Sequence, residues 1–136
     1  MSRIPMEHLC MSAQGATGAG TPVNVSDYQY ISVSLATDGG GDGAMTINFQ
    51  GAISDGATKG QTPAFGSAQS VTNMWDYVES IDREDGTVID GDTGVAKAGA
   101  DDYRLFQINI DGLKYFNAEL TAWSAGEVTV KGTFFS

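Results

Sequence analysis

The sequence predicts an all-β domain, an antiparallel β-sandwich or jelly roll of about seven to nine strands. Three observations carry this. Apolar residues alternate with polar ones at period two in the well-defined segments. Glycine is abundant, at 18 residues, and proline scarce, at 3, which with many Thr, Val and Ser suits short strands joined by tight turns. No segment combines a 3.6-residue period with helix caps.

The elements follow in order. Residues 6–14 predict a short first strand, ended by Gly15, Gly18 and Gly20. Residues 21–25 read as a short extended piece, with Pro22 suited to an edge. Residues 28–37 are a strand in which Ile31, Val33 and Leu35 alternate with Ser32, Ser34 and Ala36. A Gly-rich turn at 38–43 leads to a strand over 44–53, with Met45, Ile47, Phe49 and Ile53 on one face. These two strands are expected to pair as a hairpin. Residues 54–70 form a long loop. Residues 73–81 predict one strand with Trp75, Tyr77 and Ile81 on a common face, followed by a polar turn at 82–86. Short extended pieces at 87–89 and 94–98 flank Asp90-Gly91-Asp92.

Residues 103–110 place Arg104, Phe106, Ile108 and Ile110 on one face. Asp111-Gly112 is a two-residue hairpin signal into residues 113–123, where Phe116, Ala118, Leu120 and Ala122 alternate. A turn at 124–126 precedes the last strand, 127–135, with Val128 and Val130 inward. The expected core is Ile31, Val33, Leu35, Met45, Ile47, Phe49, Phe106, Ile108, Phe116, Leu120, Val128 and Val130. Residues 14–136 make a single sandwich domain, and residues 1–13 are either an N-terminal arm or its first strand.

Charge narrows the partners. Seventeen acidic against seven basic residues give a net charge of −10, which repels nucleic-acid backbones and anionic membranes. No apolar stretch approaches the ~18 residues of a membrane span. The first eleven residues lack the apolar run of a secretory signal, so the chain is expected to stay in the cytoplasm where it is made, unless released inside a particle.

The residues offer little chemistry. Cys10 is alone, so no intrachain disulfide forms, and His8 beside it lacks the acid and oxyanion framework of a nucleophilic site. Glu79, Glu84 and Glu119 form no recognisable carboxylate pair, and Glu119 is expected to point outward into solvent. The 15–20 glycine run lacks the Lys-Ser/Thr ending of a phosphate loop. Asp38, Asp42, Asp90, Asp92, Asp101 and Asp102 lie in Gly-rich turns, where aspartate ordinarily serves the turn itself. No cofactor is expected. If calcium binds, Asp90 with Asp92 or Asp38 with Asp42 supply its ligands. The chain is expected not to be an enzyme.

The stretches GATGAGTPVNVSDYQYISVSLAT, MTINFQGAISD, SVTNMWDYVESIDREDGTVIDGDTG and DDYRLFQINIDGLKYFNAELTAWSAGEVTVKGTFF resemble successive blocks of small β-sandwich virion structural proteins of tailed bacteriophages. The resemblance spans about residues 13–135. It implies a structural role in the virion: a capsid decoration or cement protein that oligomerises and contacts other virion proteins such as the major capsid protein. A tail or fibre component is the alternative. A carbohydrate-binding module or adhesin, stacking sugars on Trp75 or Trp123, is a further one. For assembly, the apolar residues near the two ends are the interface candidates: Ile4, Met6, Leu9, Met11, Phe134 and Phe135.

Overall fold

A computed structural model describes residues 5–38, 44–53, 75–98 and 102–136. Among the described residues it contains twelve β-elements and no helix. Six are long: β1 (Met6–Gln14), β4 (Tyr30–Asp38), β5 (Ala44–Ala52), β10 (Asp102–Asn109), β11 (Tyr115–Trp123) and β12 (Glu127–Phe135). The others are pieces of two to four residues: β2 (Gly18–Ala19), β3 (Val23–Asn24), β6 (Asp76–Tyr77), β7 (Ser80–Asp82), β8 (Val88–Ile89) and β9 (Val95–Ala98). The expected loop at 54–70 lies outside the described residues.

The strands form two antiparallel sheets. The first runs β1-β12-β4-β10-β7-β8. The second runs β2-β11-β5-β6, with β3 also on β11 and β9 also on β5. Their inner faces make the core. All twelve expected core residues are buried. Period-two alternation is the cause: along β4 the odd positions from Ile31 to Thr37 are buried while Tyr30 and Ser32 are exposed. Aromatic rings bridge the layers, with Phe49 of β5 6.2 Å from Phe106 of β10 and Phe116 of β11 6.5 Å from Phe134 of β12. Each fully buried large side chain contributes roughly 1.5–3 kcal/mol by leaving water.

The pairings correct three expectations. β4 and β5 are not a hairpin: β4 lies between β12 and β10, whereas β5 pairs with β11 in the other sheet. Nor do β10 and β11 pair across Asp111-Gly112. The turn exists, with Gly112 at φ 88°, but it carries the chain from one sheet to the other. Finally, the strand expected at 73–81 is two pieces in different sheets, β6 on β5 and β7 on β10. A turn sequence sets a reversal of direction; the layer each arm joins is set by burial of its apolar face. Ile53, expected inward, stands exposed just past the end of β5.

The first strand belongs to the sandwich. β1 pairs with β12 from Met6↔Phe134 to Gln14↔Val128. The register slips between Leu9 and Met11, a bulge that lets consecutive Cys10 and Met11 both face inward. Gly20 passes so close that a Cβ there would overlap the Cys10 carbonyl oxygen, which accepts a 2.8 Å hydrogen bond from the Thr21 amide.

Candidate interaction face

The outward positions of the first sheet form its solvent-side face. Registers fix their rows. Phe135, Tyr30 and Asn109 stand side by side across β12, β4 and β10. The next row holds Glu7, Thr133, Ser32, Gln107, Ile81 and Val88. After it come Leu9, Lys131, Ser34 and Leu105, then Thr129, Ala36 and Tyr103.

Nine large hydrophobic residues are exposed among the described residues, and seven belong to this face: Leu9, Tyr30, Ile81, Val88, Tyr103, Leu105 and Phe135. Ile53 and Trp123 are the two outside it. Six of the seven stand as neighbouring pairs, Phe135 with Tyr30, Tyr103 with Leu105 and Ile81 with Val88, set among polar positions, so the face is enriched in apolar side chains without being a continuous apolar patch.

Its centre is also poor in charge. The outward residues of β4 from Tyr30 to Ala36 and those of β10 from Tyr103 to Asn109 are all uncharged. Glu7 and Lys131, toward the β1 edge, pair with each other at 3.2 Å. Asp38 and Glu127 sit opposite one another at one end. Arg83, beyond β7, donates a 2.8 Å hydrogen bond to Gln107 Oε1. For a chain carrying −10, this is a neutral window.

Of the sequence-predicted interface residues, Leu9 and Phe135 are exposed on this face and Met6 is half-buried. Met11 and Phe134 must be corrected: both are in the core, Met11 through the bulge and Phe134 through alternation with Phe135. Ile4 lies outside the described residues. Of the residues that sequence reasoning missed, Tyr103 and Leu105 alternate with the inward side of β10, whereas Ile81 was grouped with Trp75 and Tyr77 and Val88 was given no face; that the four share one face depended on knowing which strands are neighbours.

Other candidate sites resolve differently. Between β8, β9 and β10 lies a cleft of about 370 Å³ lined by Asp82, Ile89, Asp90, Val95, Lys97 and Arg104, among others. Its cations are already engaged. The nearly buried Lys97 binds the Asp102 carboxylate, and Arg104 binds Asp82 and, at 3.1 Å, Glu84. The Lys97 contact holds the Asp102 carboxyl below the usual carboxylate range, and the Asp82 hydrogen bond holds the Arg104 guanidinium above its own. Asp90 Oδ1 accepts a 2.8 Å hydrogen bond from the Asp92 amide, serving the turn that joins β8 to β9. Of the other proposed calcium pair, Asp42 lies outside the described residues and Asp38 lies at the end of β4.

Cys10 is buried, and burial pushes its thiol up to about 12, so it stays protonated at neutral pH. His8 Nε2 lies 2.7 Å from the Thr21 carbonyl oxygen, so this ring nitrogen is engaged by the backbone. Trp75 is buried against Tyr115 at 6.3 Å, whereas Trp123 is 40% exposed and donates its indole N–H to the Gly126 carbonyl.

Glu119 corrects a further expectation. It does point away from the core, opposite Ala118 and Leu120, yet only 5% of it is accessible. Tyr77 Oη donates to Glu119 Oε1 at 2.6 Å, and burial followed by this contact pushes the phenol above its usual range. Gln50 and Asn117, directly opposite one another on β5 and β11, are fully buried on the same outer side of the second sheet. Both side-chain polar atoms of Gln50, and Asn117 Oδ1, have no hydrogen-bond partner among the described residues.

The fold has counterparts among solved structures. SPBc2 prophage-derived protein YomS superposes with a TM-score of 0.67 at 15% identity, covering 100% of this chain and 96% of that one. The PBSX exported protein XepA gives a TM-score of 0.68 at 15% identity, with 99% of this chain matching 38% of XepA. At this identity the likeness establishes a shared fold. No protein-family model and no curated protein matches the chain.

Proposed function

We propose that this chain is a structural component of a phage particle, acting as a capsid decoration protein that binds neighbouring subunits through the outer face of its first sheet. The observation that carries the reading is the concentration of exposed apolar residues on one neutral face of an otherwise acidic domain. Fold likeness to YomS over nearly the whole of both chains supports the phage association, since YomS is prophage-derived. Decoration is mechanical. A domain that binds only the assembled shell stabilises that shell by mass action, through buried area and not chemistry.

The test is particle association. The tagged chain, expressed during phage production, should co-sediment with purified particles, and gold-labelled antibody should mark the capsid. Label along the tail would replace decoration by a tail or fibre role. A second reading rests on XepA, which is described as exported: the chain would then be released without being built into particles. Recovery only in the particle-free supernatant favours that reading and overturns the first.

A further inference from the structure

We infer that the outer face of the first sheet binds a second copy of the same chain, forming a two-fold dimer in which the two faces stack. It concerns the free protein and the same face that the particle reading assigns to shell contacts, so a second copy and the shell would compete for it.

The argument starts from shape. Ser32, Ser34 and Ala36 make a row of small outward side chains along β4, while on β12 Thr129 and Thr133 flank the longer Lys131, which is paired with Glu7. Beside the β4 row Tyr103 and Leu105 on β10 stand higher, opposite Ala36 and Ser34 in the register. A ridge beside a shallow trough is self-complementary under a two-fold axis running between them. The ridge of each copy fills the trough of the other, the relation an isologous contact requires. Stacked sheets pack ~10 Å apart with interdigitated side chains, which small residues opposite large ones permit.

Area permits it. Four long strands spaced ~4.8 Å apart, each contributing about seven residues at ~3.4 Å, with the short β7 and β8 beside them, give the face roughly 500 Å², so two copies would bury about 1,000 Å², the low end for a specific interface.

Charge selects the occupant. Two copies each carrying −10 repel wherever their acidic surfaces meet. The β4 and β10 stretches described above hold no charged outward residue, so there the copies approach without burying like charges. A strongly basic partner, by contrast, would find few carboxylates on the centre of this face and more on other surfaces.

The experiment is sedimentation equilibrium on the purified full chain over a wide concentration range. The wild type should show a monomer–dimer equilibrium whose association strengthens with added salt, because screening weakens the net repulsion while leaving apolar burial intact. Leu105→Glu and Ser34→Arg should each weaken dimerisation at least about tenfold, by placing a charge in the stacked face. Ala122→Glu, an exposed position on β11 in the other sheet, adds the same charge as Leu105→Glu and should leave it unchanged. Circular dichroism and thermal unfolding establish that all variants fold. A monomer at every concentration overturns the inference. So does an oligomer that survives both face substitutions, or one of odd stoichiometry. A monomer that still joins particles refutes the dimer and leaves the decoration reading standing; a dimer that joins no particle does the reverse.

Discussion

Phe134 and Phe135 are neighbours in sequence and opposites in environment, so replacing each by alanine separates core from surface within one dipeptide. Phe134 is fully buried, its ring 5.8 Å from Tyr28 and 6.5 Å from Phe116. Truncation removes a complete aromatic side chain from between the layers, and large-to-small changes of this kind cost roughly 3–5 kcal/mol. Phe135 is 39% exposed, so Phe135→Ala removes a side chain only partly withdrawn from water and should cost about 1 kcal/mol. Urea unfolding followed by tryptophan fluorescence reads both. With a slope of roughly 2 kcal/mol per molar, Phe134→Ala should lower the midpoint by about 2 M and Phe135→Ala by about half a molar or less. Equal shifts, or the reverse order, would refute the inward assignment of alternate β12 positions and with it the register of the final strand.

Deleting residues 1–13 removes most of β1, including buried Cys10 and Met11, so the remainder should lose cooperative thermal unfolding; a soluble fragment melting at the wild-type temperature would contradict the placement of β1 beside β12. Gln50→Met exchanges an amide without hydrogen-bond partners among the described residues for an apolar side chain of similar length, and should stabilise by about 1–2 kcal/mol in urea titration. Destabilisation instead would refute an unsatisfied Gln50 amide. Because burial raises the Cys10 thiol to about 12, its contribution to stability is fully present below the unfolded value near ~8.5 and is lost as pH rises from there. Wild type should therefore lose stability between about pH 8.5 and 11 more steeply than Cys10→Ala. In native protein at pH 8, iodoacetamide should label Cys10 no faster than the chain opens; rapid labelling would show the thiol accessible.

Sequence alone made the layers legible and their wiring obscure. Alternation at Ile31-Val33-Leu35 or Val128-Val130 reports which way a side chain points, because the pleat forces successive residues to opposite sides. It says nothing about which strand lies alongside. Asp111-Gly112 showed the same limit: the left-handed glycine was readable, while the choice between pairing and crossing rested on where Phe106 and Phe116 bury. Glu119 shows a second limit, since its outward direction was legible but the Tyr77 hydroxyl above it was not. At the candidate face, Leu9 and Phe135 were identifiable as apolar residues near the chain ends. Leu105 and Ile81 join them only through pairings between β10, β4 and β7 that no local pattern encodes.

The sheet order also dictates a timetable. β4 is central to its sheet, yet its two neighbours, β10 and β12, are both made long after it, and among the described residues β1 pairs with β12 alone. During synthesis the first strands therefore emerge with apolar faces and open edges, and nothing yet exists to cover them. Folding dominated by such distant pairings is slow, and chains waiting with unpaired edges are prone to aggregate. Chaperone dependence should thus be concentrated in the interval before β12 leaves the ribosome, and a chain stalled just short of Glu127 would leave β1 unpaired and one edge of β4 open.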